Sequence, residues 1–559
     1  MPSSFFIGES RLLNGPWQAF ERDTARLLLQ LGFDDVRIVG GTGDHGGDVL
    51  GVWKGELWVI QCKFTTGTPP VDAVGEVVRA AEYYSASRPA VALSRPRTEA
   101  LAAEVQRFKA FGISVDILDS PRILKLIEGV AEYAPARRRL HGYQEDASAR
   151  LRHALTDTGR GQIVMATGLG KTVVMAETVA DLLRDGLLPS ARVLVMADKK
   201  EIVRQLNQAF WYQLPKWIPT HLLIGGERPA FWEGITFATV QSVRSNLNSL
   251  PSFDLIIVDE AHHVGAPIFQ EVISRLEPNM LGGATATPWR GDGYDIDSIL
   301  GPPQVQLGIA EGLEKGFLSE VDYRLMADNI DWEVVQDTSR HRYSLAQLNR
   351  RLIIPPRDDE AARLICQTFS ETHRRSGIVF SPSIEHAEYF AKVLSDFGLR
   401  AQAVSSEMPA RDRDRLMSHF RQGQLDVVTT VDLFNEGVDV PDVDLIAFMR
   451  VTHSRRIFVQ QLGRGLRTSP SKDRLIVLDF VTDLRRVAEV VQLDRAVRGG
   501  DVERVGLGRS VIAFQDKTAG DFMYEWMLDQ ASLIERETDS TLEIPRLNYP
   551  EPLDPGGIQ

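Results

Sequence analysis

The sequence predicts an α/β protein: a mixed-sheet domain first, then two parallel-sheet domains in tandem, then a small C-terminal tail region. Three observations predict it. The chain has 559 residues, too many for one hydrophobic core. Short apolar runs alternate with segments of helical periodicity along most of its length. Two sets of these runs are apolar throughout, as strands buried on both faces of a parallel sheet are.

Taken in order, WQAFERDTARLLLQLGF places Phe20, Leu27, Leu28 and Leu31 at helical spacing and closes on Gly32. VRIV, DVLGVW and LWVIQCKF read as strands, VDAVGEVVRAAEYY as a helix, PAVAL as a strand, TEALAAEVQRFKAFG as a helix and ISVDIL as a strand. These fill residues 1–130. A basic, proline-containing linker, 131–144, follows. Residues 145–300 hold QIVMA, RVLVMA, ITFAT, DLIIVD and MLGGAT, each a buried strand. Residues 301–358 are irregular and mixed in charge and read as a connecting segment. Residues 359–487 hold SGIVFS, LRAQAVS, LDVVTTV, VDLIAFM and DRLIVLDF. Residues 488–559 form the tail.

Composition narrows the function. The chain is 43% hydrophobic and 25% charged, which excludes a disordered chain or a fibrous rod. With 63 Lys and Arg against 76 Asp and Glu, its formal charge is -13. Such a surface is not coated for nucleic acid, so any DNA contact must use a local groove. Two cysteines, Cys62 and Cys366, provide neither a disulfide framework nor a cysteine zinc site. No leader pattern and no apolar run near the ~20 residues of a spanning helix is present. The expectation is a soluble, cytoplasmic protein.

QIVMATGLGKTVVMAE reads as strand, glycine loop, helix. Thr167, Gly168, Gly170, Lys171 and Thr172 sit at the turn. Small residues there let backbone amides curl around phosphate oxygens, and the helix N-terminus adds positive field. Lys171 reaches the β- and γ-phosphates and the Thr172 hydroxyl holds Mg²⁺. The pattern departs from G-x-x-x-x-G-K-[ST] at its first position, which is Met165. DLIIVDEAHH ends a buried strand in Asp259 and Glu260, an acid pair at the edge where such sheets bind ligands. Asp259 suits the Mg²⁺ shell, and Glu260 suits a base for the attacking water.

AxxGxGKT followed by the DEAH box (Asp259 to His262) resembles the superfamily 2 helicases and translocases. GYQ at 142–144 is similar to their adenine-reading motif, which implies nucleotide contacts for Tyr143 and Gln144. VLVMADKKEIVRQ, ITFATVQSV, TATP, IVFSPSIEHAEYF, TTVDLFNEGVDVP and QQLGRGLR match later motifs, in order, over roughly 140–485. The resemblance implies two RecA-like domains with ATP between them. Gln460, Arg464 and Arg467 share a helical face by spacing. By resemblance the arginines reach the γ-phosphate across the cleft, and Asp439 senses nucleotide from the same side. The wording is most similar to the type I and type III restriction-enzyme subgroup, which moves on double-stranded DNA. Thr239, Ser381 and Thr430 are candidates for DNA-backbone contact. Arg137, Arg138 and Arg139 are either phosphate contacts or a solvated linker.

In GGTGDHGGDVLGVWKGELWVIQCKF a hairpin turning near Lys54 and Gly55 sets Asp48 opposite the Gln61–Lys63 segment. Alternation puts Gln61 and Lys63 on one face and Cys62 on the other. One carboxylate, one amide and one ammonium converge, a set for metal-assisted phosphodiester cleavage. Asp48 and Gln61 would hold Mg²⁺, and Lys63 would position or deprotonate water. This stretch resembles the Mrr-like branch of the PD-(D/E)xK nucleases, with QCK standing for E-x-K. The resemblance adds Glu21 as a supporting acid, with Glu76 a remoter candidate. Trp17, Trp53 and Trp58 read as core or turn packing.

The expectation is an ATP- and Mg²⁺-dependent DNA translocase or helicase with an endonuclease domain, serving restriction or anti-phage defence. A repair helicase-nuclease and an ATP-driven DNA sensor with an inactive nuclease fold are the alternatives. Cutting both strands calls for a second copy or a protein partner.

Overall fold

A computed structural model describes residues 5–39, 46–286, 296–308, 311–312, 315–325, 355–431, 443–449, 472 and 474–480. The first unit contains α1 (Glu9–Asn14), α2 (Trp17–Leu31), β1 (Asp34–Ile38), β2 (Val49–Trp53), β3 (Glu56–Lys63), α3 (Ala73–Tyr84), β4 (Arg88–Leu93), α4 (Glu99–Ala110), β5 (Asp116–Leu118) and α5 (Ser120–Gly129). Its five strands lie in the order β1-β2-β3-β4-β5. The first three are antiparallel and the last two join in parallel, so the sheet is mixed as expected. The pleat sorts its two faces. Val49, Ile60, Cys62 and Ala90 pack with Leu27 and Leu28 of α2. Leu50, Val59 and Val91 pack with Val74, Val77 and Ala80 of α3.

The second unit contains α6 (Gly142–Thr158), β6 (Arg160–Met165), α7 (Lys171–Arg184), β7 (Arg192–Ala197), α8 (Lys200–Trp211), β8 (Thr220–Leu223), β9 (Gly234–Thr239), α9 (Val240–Asn246), β10 (Leu255–Asp259), α10 (Pro267–Leu276), β11 (Met280–Thr285), α11 (Asp297–Leu300) and β12 (Pro303–Leu307). Its seven strands are all parallel, in the order β12-β6-β11-β10-β7-β9-β8. Their apolar runs are buried along almost their whole length, which is why they read without alternation.

The third unit contains β13 (Glu320–Leu325), α12 (Pro355–Glu371), β14 (Gly377–Phe380), α13 (Ile384–Asp396), β15 (Ala401–Ala403), α14 (Ala410–Arg421), β16 (Val427–Thr430), β17 (Leu445–Phe448) and β18 (Arg474–Asp479). Its six parallel strands run β13-β18-β17-β14-β16-β15.

Four readings are corrected. The segment 301–358 is not merely a connector: it supplies an edge strand to each parallel sheet, β12 beside β6 and β13 beside β18. Their polar residues hid them, because edge strands need not be apolar on both faces. α6 starts at Gly142, so GYQ belongs to a helix rather than to the linker. α5 and β8 were missed; α5 is short and β8 only four residues long. Trp17 is 55% exposed at the start of α2, whereas Trp53 stacks on Phe33 at 5.0 Å and Trp58 meets the same ring edge-on. The tail, 488–559, lies outside the described residues. Among the described residues no helix is long and apolar enough to cross a membrane.

Candidate active sites

The phosphate loop leaves the carboxyl end of β6 and enters α7. Gly170 caps that helix in the left-handed conformation, φ 82°. That backbone conformation favours glycine, and a side chain there would displace the Gln144 amide from the loop. Leu169 is buried beneath the loop, while Thr167, Gly168, Gly170, Lys171 and Thr172 stay partly accessible above it. Gln144 holds the loop from below: its Nε2 donates to the Leu169 carbonyl at 2.9 Å, and its Oε1 accepts from the His141 amide. Tyr143 donates to the same carbonyl at 3.1 Å and stacks on Phe317 at 4.1 Å. Phe317 was not singled out by sequence; it precedes β13 and is far from the motif in the chain.

The acid pair sits next door. β10 lies two strands from β6 with β11 between them, and Asp259 is in register with Ala284. Lys171 Nζ lies 3.7 Å from Glu260 Oε1. Asp259 is 8% exposed. Burial, then the neighbouring Glu260, push its carboxyl up from the usual range, and Lys171 opposes them. His262 Nδ1 lies 3.3 Å from Glu260 and 3.0 Å from Thr285 Oγ1, tying the DEAH box to the end of β11. One ammonium set beside two carboxylates fits the donor set of a Mg²⁺-nucleotide site. Asp439, Gln460, Arg464 and Arg467 lie outside the described residues.

The second site ends the β2–β3 hairpin. Val49 faces Ile60, so Asp48 comes level with Gln61. The Asp48 carboxylate accepts from Gln61 Nε2 and from the Cys62 amide, both at 2.6 Å. Gln61 is 4% exposed, and its Oε1 has no hydrogen-bond partner. That orphaned buried oxygen fits a cation ligand. Lys63 lies on the same face and pairs with Glu76 of α3 at 2.6 Å. Glu21 approaches from the opposite face: its charge and that of Asp48 add to burial in holding the Cys62 thiol protonated. Sequence alternation thus assembled Asp48, Gln61 and Lys63 but placed Glu76 too far away. Among the described residues no three His, Cys, Asp or Glu side chains converge as a ready metal cage.

The three candidate DNA-contact residues, Thr239, Ser381 and Thr430, are buried. Thr239 caps α9, accepting from the Ser242 amide. Ser381 and Thr430 are fully buried at neighbouring strand ends, where the Ser381 amide donates to the Thr430 carbonyl. Arg137 pairs with Glu177 and lies over Tyr133, which pins the linker at that point, while Arg138 and Arg139 stay exposed.

Three family matches follow the chain in order. Residues 12–127 match the restriction endonuclease family, 137–290 the type III restriction enzyme res subunit, and 360–469 the helicase conserved C-terminal domain. Among curated relatives, "Putative ATP-dependent helicase IRC3" of Saccharomyces cerevisiae is 25% identical over 355 residues, covering 61% of this chain and 51% of its own. The "DNA 3'-5' translocase XPB2" of Sulfurisphaera tokodaii is 24% identical over 354 residues, covering 57% and 77%. The chain spans about half to two-thirds of the first curated relatives it matches. Among solved structures, an ATP-dependent type ISP restriction-modification enzyme, LlaBIII, bound to DNA, shares the fold with a TM-score of 0.54 at 16% identity. The alignment covers 96% of this chain and 42% of that one. Segment by segment, the chain is therefore similar to a restriction endonuclease, to the type III restriction enzyme res subunit and to the helicase conserved C-terminal domain.

Proposed function

We propose that this protein is an ATP-driven DNA translocase or helicase that carries its own Mg²⁺-dependent DNA endonuclease and acts in restriction of foreign DNA. One observation carries the reading. A phosphate loop facing an acid pair (Lys171 to Glu260, 3.7 Å) and a nuclease-type hairpin end (Asp48 to Gln61, 2.6 Å) occur in one docked chain.

In the motor, Thr167, Gly168 and Gly170 cradle phosphates through backbone amides, and Lys171 neutralises the β- and γ-phosphates. Thr172 and Asp259 would hold Mg²⁺, whose role is to draw charge from the phosphate oxygens. Glu260 takes a proton from the attacking water at its carboxylate. Tyr143 and Gln144, which brace the loop at the Leu169 carbonyl, would read adenine. Gln460, Arg464, Arg467 and Asp439 would complete the site from the second half when the cleft closes.

In the nuclease, Asp48 and Gln61 Oε1 would hold the second Mg²⁺. Lys63 orients the attacking water and stabilises the phosphate charge through Nζ, with Glu21 as a supporting acid. Double-stranded DNA is the substrate we infer, and cutting both strands calls for a second copy or a partner protein. One feature favours a second reading, a DNA sensor with a silent nuclease: Gln61 stands where an acid is usual. DNA-stimulated ATP hydrolysis, abolished in Lys171→Ala, tests the motor under either reading. Its absence from the wild-type protein contradicts both.

A further inference from the structure

An amide and a single carboxylate are a poor pair for a hard divalent cation, because the amide contributes no charge. Gln61 occupies the position of the missing acid. The fold brings a replacement from α3. Gly46, left-handed at φ 88°, lies so close to both groups that a Cβ there would be 2.6 Å from Glu76 Cβ and 2.8 Å from Gln61 Oε1. Glu76 and the orphaned amide oxygen therefore crowd the same point of backbone, two residues before Asp48. Lys63 holds the Glu76 carboxylate on that face at 2.6 Å, and both side chains are about a quarter exposed, open to a cation from solvent. Gln61, by contrast, is 4% exposed with its Oε1 unfilled.

We propose that Glu76 supplies the second carboxylate of the nuclease metal site, beside Asp48 and Gln61 Oε1. The inference rests on the nuclease reading above. Before a cation binds, the Lys63 ammonium neutralises Glu76. When Glu76 turns to the cation, Lys63 loses that partner and its ammonium becomes available to the DNA phosphate. Glu76 thus sets both the affinity for the cation and the availability of Lys63.

The test is titration of Mn²⁺ into the nucleotide-free full chain, followed by calorimetry, for wild type, Glu76→Gln, Glu76→Asp and Asp48→Asn. Glu76→Gln is expected to weaken Mn²⁺ binding by about tenfold or more, comparably to Asp48→Asn, and to lower Mn²⁺-supported plasmid cutting with it. Glu76→Asp, which keeps the charge, is expected to recover part of both. Thermal unfolding of each variant separates a lost ligand from a lost fold, and Glu76→Asp carries the test if the glutamine variant does not fold. Wild-type cutting together with unchanged Mn²⁺ affinity in Glu76→Gln overturns the inference alone and leaves Glu76 as a partner of Lys63 only. Wild type that neither binds Mn²⁺ nor cuts overturns the nuclease reading as well.

Discussion

The nuclease domain meets the two halves of the helicase core through two unlike seams. Against the first half, three arginines of α1 and α2 are sunk into the contact. Arg26 is 1% exposed, donates to the Pro215 and Ile218 carbonyls, and lies over the Phe6 ring. Burial lowers its guanidinium to about 9, with Asp23 opposing, so it remains charged at neutral pH. Arg22 pairs with Glu227. Arg11 binds Asp23 and the Thr220 carbonyl. From the other side Lys216 donates to the carbonyls of Ile127, Glu128 and Val130, and Trp211 enters the nuclease core. Against the second half the described contacts are few and polar. Arg37 donates to Ser418 Oγ at 2.8 Å, Tyr83 donates to Asp412 at 3.1 Å, and Arg415 lies over the Tyr83 ring. Buried charges tolerate no sliding, because any displacement leaves an ion unpaired. Single part-buried hydrogen bonds between neutral or singly charged groups cost only about 1 kcal/mol each to break. The first seam therefore fixes the N-terminal unit to the second unit more firmly than the other seam fixes it to the third.

The sharpest way to break this contrast is Arg26→Ala. It strands the Pro215 and Ile218 carbonyls in the buried seam, while Asp23 keeps its Arg11 partner, and unfolding in urea should show a loss of about 2–4 kcal/mol. A loss below about 1 kcal/mol would mean the seam is not structural.

Acid gives the next largest effect. His221 Nε2 donates to the Glu233 carbonyl at 2.8 Å, and its Nδ1 faces the Arg11 guanidinium at 3.5 Å. Burial, then Arg11, hold the ring neutral down to about 3. The unfolded imidazole takes up a proton near 6.5, so between those values the unfolded state binds more protons. The seam is fully stable above about pH 6.5 and weakens as pH falls, by about 2 kcal/mol at pH 5. His221→Gln should flatten that part of the pH–stability profile; an unchanged profile would assign the acid sensitivity elsewhere.

The smallest effect belongs to the second seam. Tyr83→Phe removes one hydrogen bond to Asp412 and should cost about 1 kcal/mol or less in urea unfolding. Hydrogen exchange should nonetheless speed up along α14. Unaltered exchange there would mean that the contact does not order the helix.

The two seams also mark where sequence reading stops. The hairpin was legible because β2 and β3 are adjacent and alternate, so Asp48, Gln61 and Lys63 fell into place by counting. The phosphate loop and the acid pair were legible because each strand is apolar and ends in its functional residue. Glu76 was underweighted because a helix's distance from a strand depends on tertiary packing, here the close approach at Gly46. The arginine seam could not be read at all. Arg26 sits in an amphipathic helix like any surface arginine, and its partners lie about two hundred residues onward. Phe317 beside Tyr143 escaped for the same reason. β12 and β13 were taken for a connector because their edges carry polar residues.

The central claim is a motor coupled to a nuclease. The most direct measurement is cleavage of supercoiled plasmid with Mg²⁺, with and without ATP, for wild type, Lys171→Ala and Lys63→Ala. The account predicts ATP-dependent cutting by wild type that disappears in both variants, with Lys63→Ala still hydrolysing ATP in response to DNA. ATP hydrolysis with no cutting by wild type, or cutting by Lys63→Ala at the wild-type rate, would contradict it.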